Sequence, residues 1–301
     1  MAYRNIIISG DASLTLKSKQ MCIKTEEKYG TMPVEDIDTI LLESRRSSIS
    51  TALLSALAQN GTALFVCDEF HMPCGILLPY LQHTRLHEVS KSQLELTEPA
   101  KKQLWKQIVT AKINNQAECL ELCGNAATAR ALQVIAKNVK SGDAGNAEAH
   151  AAAKYFVSLF GKGYTRGNLI DSRNAWLNYG YAILRGCVAR TLAVYGFFQS
   201  FGLHHHSRQN SFNLADDFIE PFRPIVDLFV ASNWESGSKL TPDTKRQLFN
   251  LVNHNIEIDA KKYALTYAIE RTIQSFSSVV MGKRKDLLLP YLVPLEQHTY
   301  E

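Results

Sequence analysis

The feature that most constrains this chain is a change in its hydrophobic period near residue 80. Up to that point, short β-branched or apolar runs (NIIIS, SLTLKS, MCIKT, TILLES, TALFVCD, CGILLPY) are separated by Gly, Asp, Pro and Ser, the pattern of strands joined by turns. One helical stretch, SISTALLSALAQNG, interrupts them, with Ser48 or Ser50 placed to cap its start and Gly61 to stop it. From Gln82 to Ser92 the chain turns polar, and beyond it nearly every segment has helical period. In NAWLNYGYAILRGCVARTLAVYGF, residues Leu177, Tyr181, Leu184, Val188, Leu192 and Tyr195 recur at spacings of three and four, which predicts a central core helix. The expected fold is α+β: a small β-rich domain over 1–82, a linker over 83–92, and a larger all-helical domain over 93–301.

Composition narrows the function classes. With 301 residues, 46% hydrophobic and 21% charged, the chain has the makings of a large buried core and not of a disordered tail. A net charge of +4 permits a polyanionic partner without demanding one. The cysteines (Cys22, Cys67, Cys74, Cys119, Cys123, Cys187) form no CxxC pair, and MAYRNIIISGD lacks the apolar core of a signal peptide, so reduced thiols in a cytoplasm are expected. TALFVCDEF and LLLPYLVPL are too short or too interrupted for the ~20 apolar residues of a membrane span.

The densest chemistry lies in GLHHHSRQNSFNLADDFIEPFRP, Gly202 to Pro224. With Asn213 as N-cap of a helix from Leu214, the carboxylates of Asp216, Asp217 and Glu220 fall on one face, with Leu214 and Phe218 roughly opposite. Pro221 and Pro224 should break that helix just after Glu220. Clustered carboxylates repel one another and a divalent cation relieves the repulsion, although a solvated acidic face accounts for this stretch equally well when taken alone. Of the three histidines His204, His205 and His206, at most two can point the same way. An exposed polar loop is the plain alternative.

Upstream, GNAEAHAAAKYFVSLFG read as a helix puts Glu148 on the stripe of Ala151, Ala152, Tyr155 and Leu159, with His150 and Lys154 pointing away. An unpaired buried charge is costly, so Glu148 meets a basic partner, lies at the rim of the stripe, or binds a cation. Carboxylates with one imidazole suit Mg²⁺ or Mn²⁺, whereas structural Zn²⁺ calls for thiolates. Such ions commonly serve phosphodiester chemistry.

Three blocks carry a resemblance to a known family: EAHAAAKYF at Glu148–Phe156, NAWLNYGYAILRG at Asn174–Gly186, and DFIEPFRP at Asp217–Pro224. Together with PVEDIDTILLES and ALLSALAQNGTALFVCD in the β-rich part, the chain resembles, over nearly its whole length, the CRISPR-associated integrases of the spacer-acquisition module, the "Cas one" family. It departs from the family pattern in Glu148-Ala149 for Glu-Gly and in Phe218-Ile219 for Leu-Met, both conservative. The form of HHHSRQNSFNLADD looks most like the type II version.

The resemblance implies a metal-dependent DNA integrase and endonuclease of CRISPR adaptation. Such an enzyme joins the 3′-hydroxyl of captured spacer DNA to the repeat by transesterification, and hydrolyses DNA when water replaces that hydroxyl. The metal ligands would fall on Glu148, His205 and Glu220, holding Mg²⁺ or Mn²⁺, with Asp217 auxiliary. His205 is preferred by its spacing to the Asp-x-x-Glu block, and His204 and His206 stay open as alternatives. Asn174, Asn178 and Tyr181 would line or brace the site or satisfy hydrogen bonds between helices, and Arg223 would contact phosphate, orient the acids, or form a structural ion pair.

The implied partners are double-stranded DNA (spacer precursor and CRISPR repeat), a second copy paired through the β-rich domain, and a small ferredoxin-like adaptation protein completing a hetero-hexamer. The RNA-guided effector nuclease is a further implied partner, all in a prokaryotic cytoplasm with no membrane. Lys and Arg in TRLHEVSKS, EPAKKQLWKQ, TPDTKRQ and MGKRKD suit phosphate contacts along a duplex. Two rival readings are a catalytically inactive DNA-binding scaffold, which has no need of the Glu148, His205 and Glu220 set, and a zinc hydrolase built on the histidine run, for which there is no HExxH.

Overall fold

A computed structural model describes residues 4–80, 86–168 and 170–299. Among the described residues, the N-terminal part holds eight short strands, one α-helix and one 3₁₀ turn over Val34–Asp36. In chain order the strands and the α-helix are β1 (Arg4–Ile8), β2 (Ser13–Lys17), β3 (Gln20–Lys24), β4 (Tyr29–Pro33), β5 (Ile37–Leu42), β6 (Ser48–Ile49), α1 (Thr51–Asn60), β7 (Ala63–Cys67) and β8 (Pro73–Leu77). They form two sheets. One has the order β1-β5-β7-β8, parallel except for β8; the other has the order β4-β3-β2-β6, an antiparallel meander with β6 added in parallel. Both expected boundaries of α1 are present: the Ser50 hydroxyl accepts from Leu53 N, and Gly61 adopts φ 76°.

All six residues of β5 are buried, so this strand is covered on both faces. Ile40, Leu42 and Leu64 join Leu14, Met21, Leu53 and Leu57 in a small core between the sheets and α1. Leu41, Ala63 and Phe65 instead join the large helical core.

The helical part comprises α2 (Leu86–Leu94), α3 (Glu98–Leu122), α4 (Ala126–Lys137), α5 (Ala147–Phe160), α6 (Ser172–Val194), α7 (Asn213–Ile219), α8 (Arg223–Asn233), α9 (Pro242–Asn250) and α10 (Leu265–Val280). Two elements modify the expected outline. Of the polar stretch expected to be a linker over 83–92, residues 83–85 lie outside the described residues, and the rest is α2, with Val89, Ser90 and Gln93 buried. Ser90 and Gln93 hydrogen-bond the carbonyls of Gly196, Phe198 and Phe201, so its polar residues anchor the helix. The second is a hairpin of β9 (Asn255–Ile258) and β10 (Lys261–Ala264) inside the helical part, turned by Asp259 and Ala260 at positive φ. Among the described residues, no helix is long and apolar enough to cross a membrane.

The central helix α6 is buried on nearly all sides, with Leu177, Tyr179, Ile183, Leu184, Val188 and Leu192 in the core. It also meets the first sheet: Gly186 lies against the ring of Phe65, leaving no room for a Cβ. Beside this contact Arg190 Nη1 pairs with Asp38 Oδ1 at 2.6 Å and Arg190 Nε donates to Gly61 O at 2.5 Å. Lys245 of α9 lies 3.5 Å from Glu43, and both are buried. That position corrects the reading of Lys245 as a phosphate contact.

Candidate active site

The expected break after Glu220 is present. Helix α7 ends at Ile219, a single 3₁₀ turn covers Glu220–Phe222, and α8 starts at Arg223, with Pro221 and Pro224 in first-turn positions where a missing amide hydrogen costs nothing. The Asn115 amide on α3 fixes this turn by donating to the carbonyl of Pro221 at 2.7 Å.

The three carboxylates around the break do not share one surface. Asp216 faces outward, where Arg185 Nε and Nη2 reach its two oxygens at 2.7 and 2.9 Å. Asp217 is fully buried and turned to the histidine loop. Glu220 is buried against α3. Asn213 is likewise not the N-cap: it is the first residue of α7, and its amide donates to the carbonyls of Ser200 and Ser207, closing the loop between them.

Asp217 organises that loop. Its Oδ2 accepts from Leu203 N at 2.5 Å and His204 N at 3.2 Å, and its Oδ1 from His205 N at 3.1 Å. Oδ1 also meets His205 Nδ1 at 2.7 Å. A Cβ on Gly202 would stand 2.7 Å from Asp217 Oδ2, so a side chain there would push the carboxylate off its amides. The three histidines are thereby separated. His204 stacks flat on Trp105 of α3 with centroids 4.3 Å apart, and exposed His206 turns Nδ1 to its own loop. Of the three rings only that of His205 meets the buried acid, and that hydrogen bond, outweighing partial burial, raises its pKa. A bond through Nδ1 leaves Nε2 free with its lone pair.

Glu148 lies in the first turn of α5, where the Asp143 carboxylate accepts from the amides of Ala147 and Glu148 at 2.7 and 3.1 Å. As the stripe predicted, Ala151 and Tyr155 are buried while His150 and Lys154 are exposed. Of the outcomes open to Glu148, the structure shows a basic partner. Lys112 of α3 places Nζ 2.6 Å from Glu148 Oε1 and 2.5 Å from Glu220 Oε2. Burial alone would lower the lysine's pKa, but the two carboxylates outweigh it and raise it. Burial would likewise raise that of Glu220, yet Lys112 and Arg223 bring it below its usual value. Among the described residues, no three His, Cys, Asp or Glu side chains already stand as a ligand shell, and an ammonium lies between the two acids.

The other expected residues flank this pair. Arg223 Nη2 lies 3.1 Å from Glu220 Oε1, with its guanidinium over the ring of Tyr181, which makes it an acid-orienting residue in this geometry. The Tyr181 hydroxyl binds Asp227 Oδ1, and Tyr155 donates to Oδ2 at 2.9 Å. Asn174 and Asn178 accept from Arg166 at 2.9 and 2.6 Å. Arg166, Arg185 and Arg223, with Asn178, Tyr181 and His205, line an open groove of about 380 Å³. Three guanidiniums around one concavity favour an anion.

Several of these residues escaped the sequence reading. Lys112 continues the buried series Trp105, Ile108, Lys112, Asn115, Cys119, so a lysine at a core position was the available signal. Asp227 sits in the apolar run IVDLFV, and burial pushes its carboxyl up to about 6. Arg166 and Arg185 carried no local signal beyond their charge.

Comparison with known proteins adds an independent line. The profile of the family described as "CRISPR associated protein Cas1" matches residues 6–248. The CRISPR-associated endonuclease Cas1 of Neisseria meningitidis serogroup C (strain 8013) is 44% identical over 305 aligned residues, spanning 100% of both chains. Among solved structures, a casposase bound to integration product superposes with a TM-score of 0.78 at 19% identity, covering 95% of this chain and 92% of that one. A Cas6-RT-Cas1–Cas2 complex does so with a TM-score of 0.71 at 17% identity, covering 94% of this chain and 35% of that one.

Proposed function

The chain belongs to the Cas1 family, and on that premise we propose that it is the integrase and endonuclease of CRISPR adaptation, joining the 3′-hydroxyl of captured DNA to a phosphodiester of the repeat. The observation that carries this reading is the convergence of Glu148 and Glu220 on one cationic point beside an arginine-lined groove.

The donor set fits a hard divalent ion. Two carboxylates meet at Lys112, and Glu220 Oε2, though close to that ammonium, is buried without a well-directed hydrogen bond, which is the chemistry of a hard-cation site. Glu148, Glu220 and Nε2 of His205 would hold Mg²⁺ or Mn²⁺. A bound ion of that kind stabilises negative charge developing on phosphoryl oxygens and lowers the pKa of an attacking hydroxyl.

The chain's own residues supply the rest. Asp217 keeps the His205 proton on Nδ1 and the ring in one orientation. Arg166, Arg185 and Arg223 bind phosphates and align the scissile linkage, and Arg223 also steadies the Glu220 carboxylate. Tyr181 and Asp227 brace Arg223 from behind. Asn174 and Asn178 aim Arg166. Water in place of the 3′-hydroxyl gives hydrolysis at the same site.

The partners proposed are duplex DNA, a second copy paired through the N-terminal part, and a small ferredoxin-like protein in a hetero-hexamer. The likeness to a complex containing Cas2 supports a small protein partner. The effector nuclease and the type II subtype are retained on the form of the histidine loop. The test is joining of a labelled duplex with free 3′-hydroxyls into a plasmid bearing a repeat array, with the small partner present. Joining in Mg²⁺ or Mn²⁺ and none in EDTA is expected; duplex binding without joining under every metal would favour an inactive scaffold.

A further inference from the structure

Among the described residues, Lys112 is the one buried cation that touches both acids, and nothing in the mechanism uses it. We infer that Lys112 is a resident counter-cation whose ammonium stands between Glu148 and Glu220 until a divalent ion displaces it, so that it sets how tightly the site takes metal. This rests on the reading that these acids hold the ion.

The geometry makes the two occupants exclusive. An ion ligated by Glu148 Oε1 and Glu220 Oε2 would share those oxygens with an ammonium already 2.6 and 2.5 Å from them, and like charges that close repel strongly. The ammonium also has somewhere to go. It sits on a flexible four-carbon stem, and the Glu148 side chain is 27% exposed, which opens the pair to solvent on that side. Glu220 does not depend on it alone, since Arg223 holds the other oxygen. With no ion bound, the lysine prevents two neighbouring carboxylates, one of them buried, from facing each other uncompensated. The cost of that protection is competition: metal binding must displace a charge already in place.

The experiment titrates Mn²⁺ into the full chain by electron paramagnetic resonance and follows thermal melting in EDTA and in saturating Mn²⁺, for wild type, Lys112→Gln and Lys112→Arg. Lys112→Gln is expected to bind Mn²⁺ about tenfold or more tightly. It is expected to melt lower in EDTA and to recover most of that loss in Mn²⁺. Lys112→Arg, which keeps the charge, should stay close to wild type. A folded Lys112→Gln that binds Mn²⁺ no more tightly than wild type would overturn the inference and leave only a structural ion pair. Should Lys112→Gln not fold, Lys112→Met, which keeps the stem, takes its place. Glu220→Gln in each background tests the underlying site separately: Mn²⁺ binding that ignores it, or that is absent throughout, would sink the metal site itself.

Discussion

The small core of the N-terminal part is built from Leu14, Met21, Ile40, Leu53, Leu57 and Leu64, whereas the helical core closes around Lys112, Asp217, Glu220 and Asp227. The buried acids of the N-terminal part, Asp38 and Glu43, are met from the helical side by Arg190 and Lys245. Buried charge in this molecule is therefore concentrated at the domain junction and around the candidate site, and in both places it is compensated in pairs or larger networks. Apolar packing sets the frame. The charges are tolerated because each meets a partner brought from a distant element, and that mutual dependence gives the site its geometry.

The contrast can be broken at the junction first. Arg190→Met leaves Asp38 buried without its partner, and a loss of about 3–5 kcal/mol is expected in urea unfolding. Adding Asp38→Asn should recover most of it, and no recovery would show that the arginine acts through packing instead. Next come paired cavities. Leu57→Ala in the small core and Leu184→Ala in the helical core should each cost about 2–5 kcal/mol by the same measurement. Joining activity at a temperature where both remain folded should be retained in the Leu57 variant, since that side chain touches nothing in the site.

Asp217→Asn changes charge with little change in shape. It weakens the acceptor of three loop amides and the His205 ring, and a tenfold to hundredfold fall in metal affinity or joining rate is expected, with binding of duplex kept. The smallest effect is a pH dependence. The unfolded chain releases the proton of Asp227 near pH 3.9, while the fold keeps it until about 6. Between those values the unfolded state binds fewer protons, so this group makes stability fall as pH rises, by at most about 1.4 kcal/mol per pH unit, and adds no further slope above about 6. Melting curves of wild type against Asp227→Asn across pH 4 to 7 should differ by that slope.

How much of this was legible in the sequence follows the same division. Periodicity identified most of the strands, both ends of α1 and the buried course of α6, because those depend on local spacing. It missed β4, an exposed edge strand whose YGTMP has no alternation, and the β9–β10 hairpin, whose Asp-Ala turn lacks the usual glycine. In the candidate site, the acids and histidines drew attention by type and clustering, and family resemblance singled out Glu148, His205 and Glu220. Their arrangement was not legible. Lys112 meets acids 36 and 108 positions along the chain, and helical period alone placed Asp216 and Asp217 on a face that their separate partners, Arg185 and the histidine loop, divide.

The central claim is that Glu148 and Glu220 form one chemical centre while DNA binding is carried by the arginine groove beside it. The most direct measurement runs joining and duplex binding in parallel for wild type, Glu148→Gln and Glu220→Gln in Mn²⁺. Each variant is expected to lose joining and to bind the duplex as wild type does. Joining at the wild-type rate in either one would contradict the account.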